Sequence, residues 1–213
     1  MSVTPNRRGA RSREVVLDAA EHQISEHGYE AASVSALVQE AGVPASSIYH
    51  YFGSKEGVLL AVMERGAERF FAALPVPDRL LGSHQEHLQT LVREGAATLQ
   101  RHPDFLRILV ALAAQPSDSG VHSVVNAVRG RALQRLRDQM HLVFGVDPAS
   151  AAADHLARFA LAAFDGAFVA YQSDPRVRLD ELLEHLPAAL VAVRRELLAA
   201  DHAKRNDRSR PRA

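Results

Sequence analysis

Four residues close together limit what the chain around them can become. Ser33 suits a helix N-cap and Gly42 a tight turn. Pro44 suits the first turn of a helix, and Ser54 is a second N-cap. They leave room for two short helices joined at Gly42. The first carries Val34, Leu37, Val38 and Ala41. The second carries Ile48 and Phe52, four apart and turned inward. Two short helices on a tight glycine turn make a helix-turn-helix.

The second helix lies in the stretch VPASSIYHYFGSKEG, residues 43–57, which holds no acid until Glu56. A helix that enters the DNA major groove must avoid carboxylates, which phosphates repel, and needs small side chains near base edges with donors around them. Ala45, Ser46 and Ser47 are small enough for close approach, and Tyr49, His50, Tyr51 and Lys55 supply donors. An exposed helix end that lacks acids by chance reads the same from spacing alone.

The remaining punctuation is helical, without alternating β-branched runs, and predicts an all-α chain of about nine helices. Helix one is expected from about Arg11 to His27, with Val16, Ala19, Ala20 and Ile24 inward and Gly28 as its stop. Helix four follows the Ser54 cap, carries Val58, Leu59, Val62, Phe70 and Phe71, and stops before Pro75 and Pro77. Ser83 and Glu86 form a capping box for a helix reaching Arg101. Pro103 opens a helix through Phe105, Leu106, Leu109 and Leu112, and residues 115–120 read as a loop. A long helix then ends near Phe144, another starts at Asp147 and Pro148 and runs to about Ser173, and the last spans roughly Leu179 to Ala200.

Function classes are narrowed by what the chain lacks. With no cysteine among 213 residues, disulfides and thiolate metal sites are excluded, which fits a reducing cytoplasm. Arg158 and Asp165 interrupt the longest apolar stretches, so no membrane span is expected. His84 and His87 share a helix face, but zinc needs three or four convergent ligands, so neither a metal nor a cofactor is expected. Nor does a glycine-rich phosphate loop, nucleophile elbow or carboxylate pair suggest an enzyme. The formal net charge of zero counts mildly against a nucleic-acid binder, but the distribution is uneven. Arg7, Arg8, Arg11 and Arg13 open the chain; Lys204, Arg205, Arg208, Arg210 and Arg212 close it in an expected disordered basic tail, 201–213.

Residues 156–171, LARFALAAFDGAFVAY, are apolar nearly all round, and the last helix carries a stripe of Leu182, Leu186, Ala189, Leu190, Val193 and Leu197. One chain folding on itself, or two chains pairing, would bury that surface. An apolar effector pocket is expected from Phe105, Leu109, Phe164 and Phe168, with polar groups from Asn126, Arg129 or Asp165. Asp165 could orient a ligand, but it reads first as one half of a structural pair, because buried charges are commonly just paired.

From Arg11 to about Val62 the chain resembles the DNA-binding domain of the TetR family of transcriptional regulators. The matching residues are AA at 19–20, GYEAASV at 28–34, EAGVP at 40–44 and IYHYFGSKEGVL at 48–59. The resemblance implies that Ser33 caps helix two and touches phosphate. It gives Tyr49, His50, Tyr51 and Lys55 the recognition-helix and phosphate-contact roles. Pro44 in place of the usual serine cap, and Ala45-Ser46 in place of a basic-glycine pair, bear on the base readout. The resemblance further implies a homodimer through the last two helices, to which Ala160, Ala163, Ala167, Leu186, Leu190 and Val193 are assigned. A near-palindromic double-stranded operator follows from the two-fold. The expected function is a repressor released by a small hydrophobic effector. Its parts would be a DNA-binding domain at 1–57 and a ligand-binding and dimerisation domain at 58–200, with helix four as the lever between them. A regulator that activates or answers to a protein partner, and a helical enzyme or carrier, are the alternatives.

Overall fold

The computed structural model describes the backbone at residues 7–29, 31–74, 77, 79, 82–114 and 119–208, with side chains over 9–113 and 121–200 of those ranges. Ten helices and no strand occur among the described residues. They are α1 (Arg7–His27), α2 (Val34–Ala41), α3 (Ala45–Phe52), α4 (Lys55–Ala73) and α5 (His84–Arg101), then α6 (Pro103–Ala114), α7 (Ser119–Phe144), α8 (Ala151–Ser173), α9 (Leu179–Leu183) and α10 (Leu186–Arg208). The side chains of Arg7 and Arg8, those of the basic tail, and residues 115–118 of the expected loop lie outside the described residues. No helix searched is long and apolar enough to cross a membrane.

The chain divides into two compact units. The first comprises Met1–Ala73 and Arg101–Arg129. Here α1 is the hub, packed on α2, α3, α4 and α6. Its inward stripe adds Leu17 to the expected residues: Val16, Leu17 and Ala20 are all 0% exposed. Leu17, Leu37, Ile48 and Met63 are fully buried, each worth about 1.5–3 kcal/mol relative to exposure. The contacts do not divide after residue 57, where the domain boundary was expected. Arg65, well inside α4, reaches back to three α1 carboxylates, with Nη1 donating to Asp18 at 2.7 Å and Glu14 at 3.2 Å, and Nη2 to Glu21 at 2.6 Å. One residue on, Gly66 lets the Phe105 ring of α6 lie against the α4 backbone.

The second unit comprises Leu74–Gln100 and Gly130–Ala213, with α8 packed on α9 and α10. Ser83 and Glu86 complete the expected capping box: Ser83 N–H donates to Glu86 Oε2 at 2.7 Å, and Glu86 N–H to Ser83 Oγ at 3.3 Å. His87 is fully buried in this unit. The Gln139 amide donates to the Pro77 carbonyl at 3.0 Å, so its oxygen is left to accept from His87 Nε2, also at 3.0 Å. A buried imidazole is thereby satisfied by a neutral partner.

Several helix boundaries differ from the sequence reading, among them the start of α1, which lies at Arg7 rather than about Arg11. The start of α8 is capped by Ser150, whose hydroxyl accepts from Ala153 N–H at 3.1 Å; Asp147 and Pro148 belong to the turn before it. The expected final helix is two helices. Pro187 has no N–H for the Leu183 carbonyl, so α9 stops at Leu183 and α10 begins at Leu186. The α10 backbone then stays helical through Arg208, past the expected end at Ala200.

Candidate nucleic-acid interface

Local chemistry builds the corner that carries α3. Ser33 sits in extended conformation and its hydroxyl accepts from Ala36 N–H at 3.1 Å, which starts α2. Gly42 ends it at φ +63°, in the left-handed region that costs glycine least, with its N–H on the Val38 carbonyl. Pro44 precedes α3 and offers no side-chain cap, but its carbonyl accepts from Ser47 and Ile48 at 2.9 and 3.2 Å. Without a side-chain cap, the first turn of α3 keeps N–H groups for solvent or an anion. After α3, Ser54 Oγ accepts from Gly57 N–H at 3.1 Å and starts α4.

Ile48, 1% exposed, anchors α3 to its unit, while Ala45, Ser46, Tyr49 and His50 are exposed, Tyr49 to 51%. Ser47 is half-buried, as are Tyr51, between the rings of His50 and Phe52, and Lys55. Ser33 is exposed but its hydroxyl already serves the cap, so a phosphate must share it. Nearby acids are engaged locally. The Gln23 amide, with help from His22, holds the Glu40 carboxyl below its ordinary value, and Glu56 is held low by its own backbone N–H and by Ser54. The outward face of α3 therefore offers phosphates hydroxyls, an imidazole and main-chain donors, with no carboxylate.

Two contacts at this corner were not foreseen. The Lys55 ammonium sits 4.4 Å from the centre of the Tyr29 ring, and the Arg13 guanidinium sits 5.4 Å from that of Phe52. Each joins residues far apart in the chain, so no local spacing could have signalled it.

Residues 16–62 match the model of the bacterial regulatory proteins of the tetR family. Over these residues the chain matches the TetR family. Among curated TetR-like relatives, the transcriptional repressor AcnR of Corynebacterium glutamicum is 38% identical over 69 residues, which cover 32% of this chain and 37% of that protein. The repressor ComR of Escherichia coli is 42% identical over 60 residues, covering 28% of this chain and 29% of that one. The match thus spans only 29% to 37% of the length of these relatives. Solved structures extend the likeness of fold. A TetR-family regulator from Agrobacterium tumefaciens aligns with TM-score 0.67 at 15% identity, over 86% of this chain and 98% of that one. A protein from Saccharomonospora viridis, solved in complex with choline, aligns with TM-score 0.64 at 21% identity, over 83% and 94%.

Against the TetR frame, the other expected sites are redistributed. Phe105 and Leu109 are buried in the first unit, where Phe105 meets α4; Asn126 is exposed and Arg129 half-buried in the same unit. Phe164, Asp165 and Phe168 belong to the second, where Phe164 lies against Gly95 of α5. Asp165 is half-buried, which spares it the full desolvation cost anticipated for a carboxylate in that stretch. The second unit does hold an open cleft of about 560 Å³ that the sequence did not suggest. Its walls include Gln134, Arg137, Ser150 and Asp154, and Arg137 and Arg158 both pair with Asp154.

Of the residues assigned to pairing, Ala160, Ala167, Leu186 and Leu190 are already buried within the protomer, between 1% and 6% exposed. Ala163 and Val193 are half-buried. What α8 turns outward is Phe159, Ala162, Gly166 and Val169, with Phe159 at 37% and Val169 at 45%. Helix α8 packs on both α9 and α10 within the protomer. His84 is exposed while His87 is buried, and no group of three His, Cys, Asp or Glu among the described residues could hold a metal ion.

Proposed function

We propose that this chain is a DNA-binding transcriptional repressor that works as a homodimer in the cytoplasm and leaves its operator when a small apolar effector binds. The observation that carries the reading is α3: an exposed helix face without carboxylates, anchored by Ile48 and presented at a helix-turn-helix corner. The likeness of part of the chain to the repressors AcnR and ComR supports a repressor over an activator. Ala45, Ser46, Tyr49 and His50 approach the bases, with Ser33, Ser47, Tyr51 and Lys55 around them on the backbone. Residues 1–57 read DNA, and 58–200 serve the effector and the partner copy.

The outward apolar face of α8 supports the dimer. Phe159, Ala162, Gly166 and Val169 recur at spacings of three and four, which is one stripe of a helix. A two-fold pair presents two copies of α3, so the operator is near-palindromic with half-sites about 34–36 Å apart or at a somewhat longer spacing. Release requires the effector to prefer the state that cannot bind DNA, and a coupling of about 1–3 kcal/mol loosens the operator roughly 5- to 150-fold.

The deciding experiment is selection of duplexes from a random pool by the full chain, followed by footprinting. Recovery of a near-palindromic site supports the reading. A chain that retains no sequence above background is a helical carrier or enzyme instead, and the repressor reading fails.

A further inference from the structure

Gly28, at φ +82°, ends α1 with its N–H on the Ile24 carbonyl and turns the chain so that Tyr29 meets the start of α4. There the Tyr29 ring lies under the Lys55 ammonium, 4.4 Å from the ring centre, and the Tyr29 side chain helps keep the Glu56 carboxyl below its ordinary value. Ser54 and the Glu56 backbone N–H hold the same carboxylate. One aromatic side chain thus seats the cation next to α3 and helps hold the neighbouring acid.

We propose that Tyr29 is a positioning residue for DNA binding: its ring fixes the Lys55 ammonium where a backbone phosphate meets the corner between α3 and α4. This rests on the DNA-binding reading above. A free lysine has a long flexible stem and loses that freedom when it meets a phosphate. A lysine already seated on a ring has lost it beforehand, and its ammonium still directs donors away from the ring. The contribution belongs to the ring face; the hydroxyl acts on Glu56. Tyr29 touches no DNA in this scheme and acts only through Lys55.

A double-mutant cycle separates this role from a structural one. A duplex selected by the wild-type chain is titrated by fluorescence anisotropy with wild type, Tyr29→Phe, Tyr29→Leu, Lys55→Ala and the Tyr29→Leu/Lys55→Ala double variant. Tyr29→Phe is expected to bind like wild type, and Tyr29→Leu about two- to fivefold more weakly, the range of an exposed cation–ring contact. In the Lys55→Ala background, Tyr29→Leu should cause no further loss. Equal weakening with and without Lys55, or no weakening at all, overturns the proposal while leaving DNA binding intact. A wild type that selects no duplex overturns the DNA-binding reading and this role with it. If Tyr29→Leu does not fold, the Lys55 Hε resonances of the free protein decide. Upfield displacement by the ring in wild type and Tyr29→Phe supports the seat, and random-coil positions overturn it.

Discussion

The Cα of Gly57, in the first turn of α4, backs onto the main-chain carbonyl of Phe52 at the end of α3, with no room for a Cβ. In most helices glycine to alanine gains about 1 kcal/mol. Here the obstacle is backbone, so α3 itself must move. Overpacking of this kind costs about 1–3 kcal/mol, and displacement of α3 adds a loss of DNA affinity. Gly57→Ala should therefore lower the urea midpoint and weaken operator binding together. At Gly66 the obstacle is only the Phe105 ring, so Phe105→Leu should rescue the stability of Gly66→Ala. A Gly57→Ala variant as stable as wild type would show that the corner is looser than described.

Ser46 is exposed and lies in the first turn of α3, where an acid does not harm the fold. Ser46→Glu should melt like wild type yet lose at least about tenfold in operator affinity, or 1.4 kcal/mol, because it faces phosphates with a carboxylate. Unchanged affinity would remove α3 from the DNA surface. Lys55→Ala should weaken all duplexes about equally and reduce the salt slope by roughly one.

Gly166 on the outward face of α8 has open space around it. Gly166→Arg should give folded monomers by light scattering at micromolar concentration, with its helical signal intact. Leu190, 2% exposed inside the protomer, behaves differently: Leu190→Arg buries a charge and should unfold the chain. A wild type that is itself monomeric would end the dimer reading.

Loss of an N-cap costs about 1 kcal/mol, and Ser83→Ala should show it in denaturant titration at neutral pH. The Ser83 backbone N–H, then its hydroxyl, hold the Glu86 carboxyl below its ordinary value of 4.5. A depressed carboxylate contributes stability that is present above the unfolded value and lost as pH falls through the lower folded one. The gap between wild type and Ser83→Ala should therefore narrow below about pH 4.5. A gap that stays constant down to pH 3 would mean that the Glu86 carboxylate takes no part in the cap.

Local chemistry made much of the fold legible. Ser33, Gly42, Ser54 and the Ser83–Glu86 pair each act within a few residues, so the sequence displays both partners at once. The exposed face of α3 was legible for the same reason. The Tyr29–Lys55 and Arg13–Phe52 contacts, and the hold of Arg65 on α1, join positions far apart and leave no mark in spacing. The α8 stripe was less legible, because small apolar residues suit a helix neighbour within the chain as well as one outside it. Pro187 was a visible signal that the reading of one unbroken final helix passed over.

No residue of α3 is Lys, Arg, Asp or Glu, and two fixed cations flank it: Arg13, over the Phe52 ring, and Lys55, three residues past its end. This has a kinetic consequence. Long-range attraction sets how often a protein meets DNA, while close contacts set how long it stays. On the DNA-binding reading proposed above, the two are carried by different residues. Changes on the exposed face of α3 can revise which site is kept, and for how long, without altering the rate of arrival. Changes at the flanking cations can tune the search without rewriting the site.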